Sequence, residues 1–213
     1  MLIYLAAAFV AALVTANVLA VKIIAVAGVV VPAGVLAYSV TFAVTDTISE
    51  IWGRERGQAV VNAGFFALLL VWGLIGLAIV VPPAPFWPHQ AEFATLLGTT
   101  SRIILASLVA YMVSQSFDVW VFHRLRRASG ARRLWLRNNL STLLSQTLDT
   151  VLFITLAFAG TGLPLLHLMG GQLLVKYLIA VCDTPVVYLL VYVARQVVRV
   201  DPAPRLRRGG HPA

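Results

Sequence analysis

The chain has 213 residues, 60% of them apolar and 11% charged, against about 45–50% and about 25% in an ordinary soluble domain. Both departures point the same way and exclude a water-soluble globule, a disordered tail and a coiled-coil rod. Lys and Arg number 16 against 8 Asp and Glu, a net charge of +8, but the arginines gather in short runs between apolar segments, which reads as membrane orientation rather than nucleic-acid binding.

A membrane-spanning helix takes ~20 residues. Six apolar segments predict six such helices, at 2–25, 34–53, 59–81, 102–123, 136–160 and 170–194. The first lacks a basic leader and carries Asn17 and Lys22, so it reads as a retained helix rather than a signal peptide. Arginines follow segment two (Arg54, Arg56), segment four (Arg124, Arg126, Arg127, Arg132, Arg133) and segment six (Arg195, Arg199, Arg205, Arg207, Arg208). The opposite connections carry almost no positive charge, so both termini are expected on the cytoplasmic side. This makes residues 1–195 one six-helix transmembrane domain and 196–213 a disordered basic cytoplasmic tail. The connection from Pro82 to Pro88 holds four prolines with Phe86 and Trp87, and reads as an interfacial aromatic anchor or as a flap over an outward-facing site.

Charged groups inside the apolar segments are the informative residues. Each costs at least about 2.5–3.5 kcal/mol at the bilayer centre, yet Asp46, Glu50, Asp118, Asp149 and Asp183 lie there with Lys22 and Lys176. Helical spacing gathers them into stripes. Asp46 and Glu50 share a face in segment two. Tyr111, Ser114, Gln115 and Asp118 do so in segment four, and Asn138 through Ser145, Gln146 and Asp149 in segment five. In segment six, Gln172, Lys176 and Asp183 align. Segment three is nearly bare of polar groups and reads as lipid-facing or packing. A short echo, Ser114-Gln115-Ser116-Phe117-Asp118 against Ser145-Gln146-Thr147-Leu148-Asp149, suggests shared chemistry in segments four and five. Pro185, close behind Asp183, predicts a kink beside that acid.

Structural glue is one account of such a set; a binding site with a path on either side is the other. Five acids against two lysines favour a guest that donates hydrogen bonds or carries positive charge. Carboxylates pair bidentately with paired N–H donors, and Gln and Asn amides read both donors and acceptors. Tyr38, Trp52, Tyr111, Phe117 and Tyr177 are candidate stacking surfaces. A guanine-like base fits this inventory better than a sugar or an anion. No Gly-x-Ser-x-Gly, His-Glu-x-x-His or Walker loop is present, the histidines are scattered and Cys182 is the lone cysteine, so neither an enzyme nor a cofactor or metal site is expected.

Four motifs in order carry a family resemblance: Thr45-Asp46 through Glu50-Ile51-Trp52-Gly53; Ser101-Arg102 through Tyr111, Gln115 and Asp118; Trp135 through Arg137, Asn138 and Asn139 to Asp149-Thr150; and Lys176 to Asp183-Thr184-Pro185. The chain thereby resembles the queuosine precursor transporter family, also called the vitamin uptake transporter family. Trp52 stands where that family usually has Tyr. The resemblance implies import of 7-deazaguanine bases for tRNA modification. It also implies an all-α fold of six transmembrane helices similar to the substrate-binding subunits of energy-coupling-factor transporters. The site expected on this basis is Asn17, Lys22, Asp46, Glu50, Gln115, Asp118, Gln146, Asp149, Lys176 and Asp183. The expected partners are a small-molecule 7-deazaguanine and the lipid bilayer of a bacterial or archaeal cytoplasmic (inner) membrane, with no nucleic acid; a homodimer is left open. The alternative is a substrate-capture subunit that needs a separate energising complex.

Overall fold

The computed structural model describes residues 1–129 and 134–197; side chains at 118–119, 122–123, 125–129, 134–139, 141–142, 180–188 and 194–197 are outside the described set. Six helices dominate: α1 (Leu2–Leu19), α2 (Gly34–Trp52), α3 (Arg54–Val80), α4 (Gln90–Ser129), α5 (Leu134–Phe158) and α6 (Leu165–Val197). Among the described residues, Leu2–Leu19, Arg54–Val80 and Gln90–Phe117 are long and apolar enough to cross a membrane, and Leu143–Phe158 and Leu165–Ile179 are shorter apolar stretches.

The expectation of an all-helical chain is corrected between α1 and α2. Residues 23–32, expected as the end of the first helix and an irregular connection, form a hairpin of β1 (Ile23–Val26) and β2 (Val29–Pro32). Six of these ten residues are Ile or Val, whose branched Cβ favours extended backbone. The strands pair antiparallel from Val26 opposite Val29 to Ile23 opposite Pro32. Their two-residue turn, Ala27-Gly28, has φ of 50° and 81°, the doubly positive geometry that matches strand twist. The Ala33 amide closes the ladder on the Lys22 carbonyl at 2.8 Å.

Four helices begin earlier than expected, α5 by two residues and α6 by five, and the early starts of α3 and α4 have local causes. Gly53, at φ 90°, turns the chain so sharply that it alone separates α2 from α3; a side chain there would be strained. The four prolines fall within 82–88, and beyond them helix formers resume at once, so α4 starts at Gln90 instead of 102. Glu92 sits favourably in its first turn, and Thr95, Thr99 and Thr100 bond the carbonyls one turn back. Gln90 Nε2 donates to the Ile79 carbonyl at 3.0 Å, tying the start of α4 to the end of α3. At 40 residues, α4 is about 60 Å long, twice the ~30 Å hydrocarbon thickness. The helix of α6 runs through Pro185 without a break.

Two apolar clusters hold the helices together. Phe9, Leu13, Val44, Ile48, Val60, Leu68, Ile104 and Leu108 join α1 to α4. Ile103, Ala106, Ile154, Ala157, Phe158 and Leu168 join α4, α5 and α6, with Ile23 and Val30 of the hairpin against them. Arg102 adds a polar tie: its Nε donates to the Leu156 carbonyl at 2.9 Å and Nη2 to the Ala159 carbonyl at 2.6 Å. The carbonyls at the end of α5 have no partners within the helix, and a guanidinium satisfies them and opposes the helix dipole.

The hairpin lies so close to α6 that a Cβ on Gly171 would collide with the Val30 carbonyl oxygen, whereas one on Gly73 would meet nothing. Gly171→Ala is therefore expected to destabilise the fold by about 1–3 kcal/mol. Gly73→Ala is expected to be neutral or to stabilise by up to about 1 kcal/mol. Thermal unfolding of the two variants in detergent checks both signs.

Candidate functional site

Every helix contributes to one cavity of about 230 Å³. Drug-sized pockets run to roughly 300–1,000 Å³, so the space suits a single fused heterocycle better than a nucleotide. On α1, Phe9, Leu13, Ala16 and Asn17 recur on one helical face. On α2 the wall runs from Gly34 through Tyr38, Thr41 and Phe42 to Thr45. Segment three, expected to face lipid or serve packing alone, supplies Val61, Phe65 and Leu68 to the wall.

The polar side of the cavity comes from α4, α5 and α6. Ser114 and Gln115 of α4 meet Ser145, Gln146 and Asp149 of α5, and Gln172 and Lys176 of α6 complete it. Lys176 is 6% exposed, and its Nζ donates to Asp149 Oδ2 at 2.6 Å, the carboxylate side chain being 19% exposed. The ammonium also reaches Gln146 Oε1 at 3.4 Å, and Ser114 Oγ donates to Asp149 Oδ1 at the same distance. Burial of either charge alone would cost several kcal/mol, and a close, hydrogen-bonded counter-ion offsets that cost. A carboxylate has about four lone-pair sites, so each Asp149 oxygen retains capacity for a further N–H.

The expected site residues divide. Asn17, Gln115, Gln146, Asp149 and Lys176 line the cavity. Asn17 is buried, with its Nδ2 donating to the Leu13 carbonyl at 2.9 Å. Lys22 is exposed at the entry to the hairpin and is not part of the wall. Asp46 and Glu50 are also exposed and outside the wall, although they continue the Phe42 face of α2 one and two turns beyond it. The side chains of Asp118 and Asp183 lie outside the described residues. The expected excess of acid is therefore absent from the described lining, where one carboxylate faces one ammonium. Such a matched pair suits a neutral guest bearing N–H donors.

Among the aromatic candidates, Tyr38 and Tyr111 line the cavity, joined by Phe9, Phe42, Phe65 and Phe153. Tyr38 meets Phe42 edge-on at 5.1 Å, and Phe65 lies 6.4 Å from Tyr111. Trp52, Phe117 and Tyr177 are not in the wall. The added phenylalanines follow the helical spacing of ordinary core residues, so the sequence offered no signal to separate them from packing. Among the described residues no cluster of three or more His, Cys, Asp or Glu side chains is placed to hold a metal.

Apolar helices around a small chamber with a buried ion pair define a membrane protein built to hold a small polar molecule. The chain belongs to the family described as "Putative vitamin uptake transporter", which it matches over residues 32–190. It is 33% identical over 180 residues to the "Probable queuosine precursor transporter" of Bacillus subtilis (strain 168), covering 83% of this chain and 79% of that protein. Identity to the "Queuosine precursor transporter" of Escherichia coli (strain K12) is 30% over 125 residues, covering 59% and 54%. A "Probable queuosine precursor transporter" of Haemophilus influenzae is 27% identical over 140 residues, covering 66% and 57%. No solved structure matches the chain.

Lys176→Met leaves the Asp149 carboxylate without its ammonium, and the expected loss is at the lower end of the roughly 3–5 kcal/mol typical of broken buried pairs, because Asp149 is partly exposed. The double variant Lys176→Met, Asp149→Asn removes both charges and is expected to recover most of that stability. Melting temperatures of the two proteins without ligand decide it.

Proposed function

We propose that this chain imports 7-deazaguanine queuosine precursors, such as the 7-cyano and 7-aminomethyl bases, across the cytoplasmic membrane, as a six-span protein with both termini inside. The observation that carries the reading is the Asp149–Lys176 pair in a cavity sized for one fused heterocycle, in a chain whose relatives are named for queuosine precursor transport. Asp149 offers its open lone pairs to the paired N–H donors of the guanine-type edge, a planar match like that of carboxylate with guanidinium. Lys176 holds the carboxylate in place, keeps the chamber neutral and donates toward the carbonyl oxygen on the guest's six-membered ring. Gln115 and Gln146 read the remaining heteroatoms, and Tyr38, Tyr111 and Phe65 supply flat apolar walls. Asp46 and Glu50, on the face continuing from Phe42, mark a path toward the cytoplasmic end of α2, and Asp118 and Asp183 extend the acidic series. Lys22 lies at the outer end, beside the hairpin.

The reaction is movement of a guest, not its conversion. Uptake of labelled 7-cyano-7-deazaguanine into cells unable to synthesise the base is expected to require the protein, and Asp149→Asn at equal expression is expected to lower uptake at least tenfold. Wild-type rates in the Asp149→Asn strain would overturn the assignment of that carboxylate. Purified protein in liposomes is expected to give net flux on its own; binding without flux would instead make it a capture subunit. Reporter fusions at both ends are expected to score as cytoplasmic.

A further inference from the structure

One buried polar atom on a cavity-lining residue is left over. Gln172 lines the cavity, and its Oε1 is the one buried side-chain oxygen or nitrogen among the described residues that has no hydrogen-bond partner. A buried acceptor with nothing to accept loses its water without recompense, and a packed apolar side chain of the same shape would serve stability better. The neighbouring groups are engaged. Lys176 is committed to Asp149 and Gln146, and the one hydroxyl proton of Ser114 is shared between Asp149 and the Tyr111 carbonyl. Gln172 precedes Lys176 by four residues, one turn and about 6 Å along α6, on the same face. Both side chains therefore reach the cavity from one face of α6, so a planar guest held at the Lys176–Asp149 pair also passes Gln172.

We propose that Gln172 is a specificity-determining residue whose side-chain carbonyl accepts the N–H of the guest's five-membered ring, so that the cavity takes the free base and refuses the nucleoside. The inference rests on the reading of the guest as a 7-deazaguanine. In a free deazaguanine base the pyrrole nitrogen carries a proton. In the nucleoside the same nitrogen carries ribose, which removes the donor and adds bulk to a chamber of about 230 Å³. A site built around a hydrogen bond discriminates strongly against a guest that lacks it, because the buried partner is then left unpaired.

The experiment is calorimetric titration of purified protein in detergent with three probes: 7-cyano-7-deazaguanine, its N9-methyl derivative and its ribonucleoside. Wild type is expected to bind the base at least a hundredfold more tightly than either N9-substituted probe. Gln172→Met keeps the length of the side chain and removes the acceptor. It is expected to weaken base binding about ten- to hundredfold and to shrink the preference over the N9-methyl probe. Without ligand this variant is expected to melt at or above the wild-type temperature, because an unsatisfied atom has been removed. Gln172→Glu, which retains an acceptor oxygen, is expected to bind the base better than Gln172→Met does. Wild type that binds the base and the N9-methyl probe equally overturns the proposal whatever the variants do. So does a Gln172→Met protein that melts lower and binds the base as wild type does, since that pattern belongs to a structural side chain. Failure of wild type to bind the base at all would instead sink the deazaguanine reading.

Discussion

The 2.6 Å contact between Lys176 and Asp149 is the constraint around which the chamber is organised. Neither charge is tolerable alone among apolar helices. Together they link α5 to α6 at a point where hydrophobic packing would have closed the space. The pair keeps the chamber polar yet neutral, and it leaves carboxylate lone pairs facing inward. Ser114 and Gln146 hold it from either side, so the carboxylate meets a guest already oriented. Two apolar clusters stabilise the helices around this point, and Phe9, Leu13, Leu68 and Leu108 serve in both cluster and wall.

Much of this was legible in the sequence because ionisable and amide side chains in an apolar chain are costly and therefore conspicuous. Asp149, Lys176, Gln146, Gln115 and Asn17 stood out by that criterion, and the structure brings all five to one cavity. The repeated Ser-Gln-x-x-Asp pattern also meets there, with Ser114 of one copy against Asp149 of the other. Helical periodicity assigns a residue to a face but does not say how far along that face a cavity extends. That is why Asp46 and Glu50, on the Phe42 face of α2, fall beyond the wall. The count of five acids against two lysines likewise took in every apolar segment, whereas the described lining holds one of each.

The hairpin and the apolar wall were the least legible parts. A run of Ile and Val continues the hydropathy of α1, broken only by Lys22, and an apolar sum does not separate strand from helix. The branched side chains and the Ala27-Gly28 turn were the available signals, and both are local. Val61, Phe65 and Leu68 carry no polar mark, so nothing in their spacing distinguishes a cavity lining from a packed interior. The start of α4 was missed for a simpler reason: four prolines in seven residues made the whole stretch look irregular, although their influence ends at Pro88.

The cavity wall takes a strip from each of the six helices, including the two ends of the chain's helical order, α1 and α6. A wall made this way changes shape whenever neighbouring helices slide or tilt against one another as rods. The tethers at their ends, Arg102 on the α5 terminus and the hairpin against Gly171, become the pivots about which such rods can turn.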